Sequence, residues 1–251
     1  MRNFKLTIEY EGTDFFGWQY QPNKRTVQGE IESALKRITK ENIRVIGAGR
    51  TDQGVHALGQ VANFKTESEI KPENLKDALN SLIADDVYIK EIIEVPLDFN
   101  ARSSAKSKIY QYNIMRKYSP LQRRYFWLVE YTLNLGEMKR AIRYFIGEHD
   151  FKNLSVSDRS ENKLSQIDGN NRKSTLCMIY NISITEAGSQ LMINIEGNRF
   201  LRKMVRGIVG VLIDIGRGRF KSEDVYEIYE GKIKNLYFAP PHGLYLVEVR
   251  Y

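Results

Sequence analysis

Residues 45–66 read VIGAGRTDQGVHALGQVANFKT, and what Gly47, Gly49 and Gly54 are for, among its four glycines, separates a nucleotide-binding fold from the alternatives. A dinucleotide-binding fingerprint needs G-x-G-x-x-G. After Gly47 and Gly49 the third glycine position is Asp52, whose charge would repel a pyrophosphate. A P-loop needs G-x-x-x-x-G-K-[ST]. Gly49 and Gly54 have that spacing, but Val55 and His56 follow them, so nothing is there to handle a γ-phosphate or magnesium. Both nucleotide readings fail. The glycines instead permit positive φ and close backbone approach on either side of Arg50-Thr51-Asp52, which is how a loop presents one side chain into a cleft. The plainer alternative is an aspartate that only closes an Asx-turn.

Outward from the loop, the pattern is strands interleaved with helices. Phe4, Leu6, Ile8 and Tyr10 alternate with polar residues, as a half-buried strand does. Val27, Ile31, Leu35 and Ile38 recur at helical spacing, 56–66 reads as a strand, Pro72 opens a helix carrying Leu75, Leu79 and Leu82, and 87–95 is strand-like. The second half repeats this plan loosely. It has a strand at 109–115, a helix through Met138, Ile142, Phe145 and Ile146 ending at Gly147, and a hairpin of 178–184 with 190–196. A long apolar helix at 200–215, a short helix at 223–230 and a strand at 244–249 follow. The expected fold class is α+β, two units with antiparallel sheets, 1–104 and 105–251, with a seam in the small polar stretch NARSSAKS. Residues 152–174 have no periodicity and read as a long surface loop.

Composition narrows the function. The single cysteine, Cys177, excludes an internal disulfide, and three dispersed histidines argue against a structural zinc site. No apolar run has the length of a membrane span, and MRNFKLTIEY runs straight into a strand pattern, so neither a membrane anchor nor a signal peptide is expected and the expected compartment is the cytoplasm. Net charge is +7, unevenly spread: 1–104 hold 14 Lys/Arg against 16 Asp/Glu, and 105–251 hold 24 against 15. A basic excess in one half suits a polyanionic partner such as nucleic acid, although solvated surface charge gives the same count.

Two further residues join Asp52 as candidates. In FLRKMVRGIVGVLIDIG, from Phe200, Arg202 and Lys203 stand near the helix start and can reach water, whereas Arg206 enters a run apolar on all sides and so is partly buried. A buried guanidinium needs a carboxylate. Asp214 lies two turns away on the same helix, and Asp52 is an acid on a loop built to expose it; a purely structural ion pair is the alternative. In KSKIYQYNIM, Tyr110 and Tyr112 share a strand face, where one could stack on a base or simply fill the core.

These residues resemble the TruA family of bacterial tRNA-modifying pseudouridine synthases. GAGRTDQGVHALGQVANF is similar to the family's catalytic motif, FFGWQYQPNKRTVQGEIESAL to its GWQ segment and first helix, and NARSSAKSKIYQY to its A-R-x-S-A…Y-x-Y segment. EGNRFLRKMVRGIVGVLIDIG is similar to its F-x-x-x-M-V-R-x-I-V-G helix, and APPHGLYLVEVRY to its final strand. The blocks keep order and spacing over nearly the whole chain. The resemblance implies the pseudouridine synthase fold, two RRM-like (ferredoxin-like) subdomains with antiparallel sheets around a central cleft. It implies isomerisation of uridine to pseudouridine at positions 38, 39 and 40 of the tRNA anticodon stem-loop, by a homodimer, with no cofactor and no metal. It assigns catalysis to Asp52, stacking on the target base to Tyr110, pairing with the aspartate to Arg206, and support of the flipped-out nucleotide to Arg50. Gly243 and Leu244 match a strand lining the pocket. Arg202 and Lys203 are candidates for phosphate contacts, with Arg116, Lys117, Arg123, Arg124, Arg217, Arg219 and Lys221.

The chain departs from that pattern in three places. Gln53 stands where the family usually has alanine, the arginine expected near Cys177-Met178 is missing, and 152–174 diverges. These leave open a pseudouridine synthase acting on another structured RNA. A non-catalytic RNA-binding protein is the remaining alternative, which the joint presence of Asp52, Tyr110 and Arg206 opposes.

Overall fold

The computed structural model describes residues 1–156 and 174–251. Its elements, in chain order, are β1 (Arg2–Tyr10), α1 (Val27–Thr39), β2 (Ile46–Gly47), β3 (His56–Thr66), α2 (Pro72–Asn80), β4 (Val87–Val95), β5 (Ser107–Met115), β6 (Trp127–Leu128), α3 (Leu135–Ile142), β7 (Gly147–Asp150), β8 (Leu176–Ala187), β9 (Gln190–Gly197), α4 (Met204–Gly216), α5 (Val225–Tyr229) and β10 (Leu244–Arg250). The fold is α+β with mostly antiparallel strand pairing, as the alternation of patterns implies.

Residues Met1–Ile109 and Leu244–Tyr251 form one compact unit, and Tyr110–Gly243 the other. The seam expected at 104/105 therefore falls five residues later, inside β5, and the last strand does not stay with the second half. Its backbone explains this: β10 pairs with β3 in parallel, Tyr245 opposite His56 and Leu246 opposite Ala57.

In the first unit β1 lies between β3 and β4, antiparallel to both. The period of two puts Phe4, Leu6, Ile8 and Tyr10 on one face, where they are buried with Phe64, Ile31, Leu35, Leu75 and Leu79. Helix α1 starts where the Thr26 hydroxyl accepts the Gly29 N–H at 3.3 Å, and it ends at Lys40 in the left-handed conformation. Pro72 takes the first position of α2, where its missing N–H costs nothing.

In the second unit the strand order is β5-β9-β8-β7, with β6 parallel on β5. The β8–β9 hairpin pairs Ala187 with Gln190 across Gly188, whose φ is 59°. Two sequence expectations need correcting. Helix α3 stops at Ile142, and Gly147 begins β7 with φ 105°, so Phe145 and Ile146 lie in the connection. Helix α4 starts at Met204, four residues after Phe200; Lys203 caps it with φ 62°, and Arg202 precedes it. All thirteen α4 residues except Arg206 are buried. The glycines make this possible: a Cβ on Gly210 would stand 1.8 Å from the Tyr237 carbonyl oxygen, and one on Gly207 2.6 Å from that of Leu154. Of the loop read at 152–174, Lys152–Leu154 form a 3-10 turn, and 157–173 lie outside the described residues.

Candidate active site

The loop carrying Asp52 is fixed at both ends. On entry, β2 pairs with β3 through Gly47 opposite Ala62, and the Ala48 N–H donates to the Val61 carbonyl at 2.7 Å. A Cβ on Gly47 would lie 2.5 Å from the Trp18 ring, so only glycine lets the strand pass the indole. On exit, the Val55 N–H donates to the Asp52 carbonyl at 3.2 Å with Gly54 at φ 78°, the arrangement of a turn that needs positive φ at its third position. Asp52 opens this turn half-buried, and Gln53 sits at its exposed corner. The departure at Gln53 thus falls on a position where an alanine and a glutamine both end in solvent.

Below the aspartate the loop is bound to the core. Thr51 is buried, and its hydroxyl shares a 2.8 Å hydrogen bond with that of Tyr10. Burial raises the Tyr10 pKa well above the usual phenol value, so the phenol stays protonated. The Gln60 amide donates to the Gly49 carbonyl at 2.9 Å. The Trp18 N–H donates to the Thr51 carbonyl at 3.2 Å, and the bare Gly17, φ 86°, allows that approach, since a Cβ there would lie 2.6 Å from the same oxygen. His56, the first residue of β3, accepts the Gly12 N–H on Nδ1 at 3.0 Å and stacks on Tyr245, ring centroids 4.7 Å apart. It is a buried anchor of the loop's far end.

Arg50 is exposed, and its Nε donates to Gln19 Oε1 at 3.1 Å. Asp52 and Arg50 therefore share one loop, and Leu244 at the start of β10 belongs to the same unit.

The second unit holds Tyr110, Arg202, Lys203, Arg206 and Gly243. Arg206 is half-buried, as expected of a cation in an apolar helix. Its Nε donates to the Ala239 carbonyl at 2.6 Å, and the Ala239 N–H donates back to the Arg206 carbonyl at 3.0 Å. Asp214, the acid on the same helix, is taken by Arg217 at 2.8 Å and Arg219 at 3.1 Å. Arg217 and Arg219, two of the candidate phosphate contacts, thus form an ion-pair cluster on a buried carboxylate while staying exposed themselves. Arg116 likewise pairs with Glu186 at 3.1 Å.

Tyr110 is 7% exposed and meets Phe200 edge to face, centroids 5.0 Å apart. Its neighbour Tyr112 is fully buried and donates its hydroxyl to the Pro240 carbonyl at 2.7 Å. A Cβ on Gly243 would lie 2.8 Å from both the Tyr112 ring and the Asn113 carbonyl oxygen, so glycine lets the chain cross β5. His242, just before it, has a pKa lowered first by burial and then by the charge of Arg206, against a hydrogen bond with the Phe126 backbone. That Ala239, Tyr112 and His242 gather around Arg206 is not legible in the residue order, because each is placed there by packing rather than by periodicity. Gln19 was visible in the GWQ segment but had no partner there.

Cys177 is buried opposite His149 in the β7–β8 ladder, and burial raises its pKa, which makes it an inert core thiol. Among the described residues no group of three or more His, Cys, Asp or Glu side chains is placed to hold a metal ion, and no helix is long and apolar enough to cross a membrane.

A family model described as tRNA pseudouridine synthase matches residues 6–102 and 141–251. The tRNA pseudouridine synthase A of Caldicellulosiruptor bescii is 46% identical over 255 residues, covering 100% of both chains. That of Caldicellulosiruptor saccharolyticus is 47% identical with the same coverage, and that of Pseudothermotoga lettingae 40% identical over 99% of each chain.

Proposed function

The chain belongs to the tRNA pseudouridine synthase family, and we propose that the uridines it isomerises are those at positions 38, 39 and 40 of the anticodon stem-loop, reached by a homodimer working in the cytoplasm. The enzyme converts uridine in tRNA to pseudouridine. Uracil leaves C1′ through N1 and returns through C5. One glycosidic bond breaks and one forms, the C5 proton is released and N1 takes up a proton. The change is neither a redox reaction nor a hydrolysis, so the protein has to supply a partner for the sugar or base and a pocket that retains the freed uracil.

The observation that carries the reading is the setting of Asp52: half-buried, at the first position of a turn whose carbonyl is bonded to Val55, between a buried Thr51 and an exposed Gln53. Such a carboxylate is held in a fixed place and can form a covalent intermediate. In this reading Arg206 is its counter-ion, with the guanidinium already oriented by the bond from Nε to Ala239. Tyr110, on a core-facing edge with Phe200, stacks on the target base; any base fits, because every base has a π-face. Arg50 fills the space left by the flipped nucleotide, whose extrusion costs a few kcal/mol. Gly243 and Leu244 line the pocket, and Arg202 and Lys203 contact phosphates, which makes binding weaken as salt rises.

Mapping pseudouridine in tRNA transcripts after incubation with the wild type and with Asp52→Asn tests this. Product at 38–40 with the wild type and none with a folded Asp52→Asn is expected. Product only at other sites or in another RNA would overturn the target. Wild-type activity in Asp52→Asn would overturn the role of the aspartate. Sedimentation of the free enzyme tests the dimer, and a monomer at working concentration refutes it.

A further inference from the structure

A chain of amides runs from the core of α1 to the guanidinium of Arg50. Gln28, in the first turn of α1, is 2% exposed and uses all four of its hydrogen-bonding positions. Its Oε1 accepts from Gln19 Nε2 at 2.7 Å and from the Tyr20 N–H at 2.8 Å. Its Nε2 donates to Glu32 Oε1 at 2.8 Å and to the Val45 carbonyl at 3.1 Å. A flipped amide would set an NH2 against two donors and an oxygen against two acceptors, so only one orientation is compatible with these neighbours. That orientation fixes the next one. Gln19 has to turn its NH2 toward Gln28, which leaves its Oε1 toward Arg50, and there it accepts from Nε at 3.1 Å.

The backbone of the same segment is equally tied. The Val27 and Gln28 N–H groups, two of the unpaired donors that open any helix, go to the carbonyls of Gly17 at 3.3 Å and Trp18 at 3.0 Å. The Trp18 N–H in turn goes to Thr51 at 3.2 Å. Residues 17–19 are therefore a strap between the start of α1 and the loop that carries Arg50 and Asp52, held by main-chain bonds on both sides.

We propose that Gln19, with its amide set by Gln28, is a positioning residue that fixes which side of the Arg50 guanidinium is turned toward the RNA. The proposal rests on the reading of Arg50 as the support of the extruded nucleotide. An exposed arginine carries considerable rotamer freedom, and losing it during base extrusion slows that step. A bond at Nε removes part of that freedom before the RNA arrives, so its contribution lies in the rate of the bound complex rather than in affinity.

The test is a double-mutant cycle on the full chain with a tRNA transcript tritiated at uridine C5, whose tritium is released as the new bond forms. Gln19→Met keeps the bulk and removes the acceptor. At saturating tRNA it is expected to lower the single-turnover rate about tenfold, the size expected for a hydrogen bond to a charged group. The Kd for tRNA and the melting temperature stay within error of wild type. Arg50→Met is expected to be slower still, and the double variant no slower than Arg50→Met alone. A wild-type rate in Gln19→Met beside a slow Arg50→Met overturns the positioning role alone, as does a double variant in which the two losses multiply. A wild-type rate in Arg50→Met overturns the reading of Arg50 and the proposal with it. Should Gln19→Met misfold, Gln19→Asn, one methylene short of Arg50, is measured in its place against the same outcomes.

Discussion

Replacing Gly210 with alanine sets two opposing effects against each other, and the structure decides the sign. In a helix interior alanine is favoured over glycine by about 1 kcal/mol. Against that, the added Cβ would stand 1.8 Å from the Tyr237 carbonyl oxygen, where real Cβ atoms essentially never come under 3.0 Å. The segment 237–239 must then move off α4 by at least 3.0 − 1.8 = 1.2 Å. That segment is held to α4 by the Arg206 Nε bond to Ala239 at 2.6 Å and the Ala239 N–H bond to Arg206 at 3.0 Å. A shift of that size carries both past hydrogen-bonding distance. Losing a backbone bond costs about 1 kcal/mol and losing one to a charged group about 1.5–3, so after the helix gain the net loss is about 1.5–3 kcal/mol. For a chain of this length that lowers the melting temperature by roughly 3–12 °C. Thermal unfolding followed by circular dichroism measures it. Gly136→Ala is the control, because Gly136 also lies in a helix and an added Cβ there would meet only the side-chain oxygen of Asn134, at 3.2 Å. A Gly210→Ala protein as stable as wild type or more so would mean that helix propensity wins, and would refute the close approach of 237–239 and the anchoring of Arg206 that depends on it.

Gly54→Ala places a side chain at φ 78° and should cost about 1–2 kcal/mol, with a fall in turnover because the same turn presents Asp52; unchanged stability and turnover would remove the turn from the argument. Gln53→Ala, at the exposed corner of that turn, should leave stability within about 0.5 kcal/mol and pseudouridine formation within about twofold; a large loss would give Gln53 a contact with the RNA. His242 has a folded pKa below its ordinary 6.5, so the unfolded chain binds the extra proton and stability falls as the pH drops below about 6.5. Melting temperatures between pH 7.5 and 5.5 should fall more steeply for wild type than for His242→Gln, and parallel slopes would rule the histidine out as a source of acid sensitivity.

Residue order alone was enough to read most of the elements and the α+β class. The alternation from Phe4 to Tyr10 and the helical spacing from Val27 to Ile38 reappear as β1 and α1, because the side-chain period of a strand or helix with one buried face is written directly in the order of residues, and the strands read at 56–66 and 87–95 reappear as β3 and β4. The failed glycine fingerprints around Asp52 already pointed to a presented carboxylate, and the apolar run around Arg206 to a half-buried cation. Element ends were less legible. Helix α4 begins at Met204 only because Lys203 takes a left-handed conformation that no periodicity encodes, and α3 ends at Ile142 although apolar spacing continues to Ile146. The partners of these residues, by contrast, come from the folded chain. β10 joins β3 across the 177 residues of chain between Thr66 and Leu244, Asp214 is claimed by Arg217 and Arg219, Arg206 is turned by Ala239, and Arg50 is held through Gln19 by a glutamine buried in α1. A hydrogen bond is satisfied by whichever donor or acceptor folding brings within about 3 Å, and that proximity belongs to the folded chain, not to its local pattern.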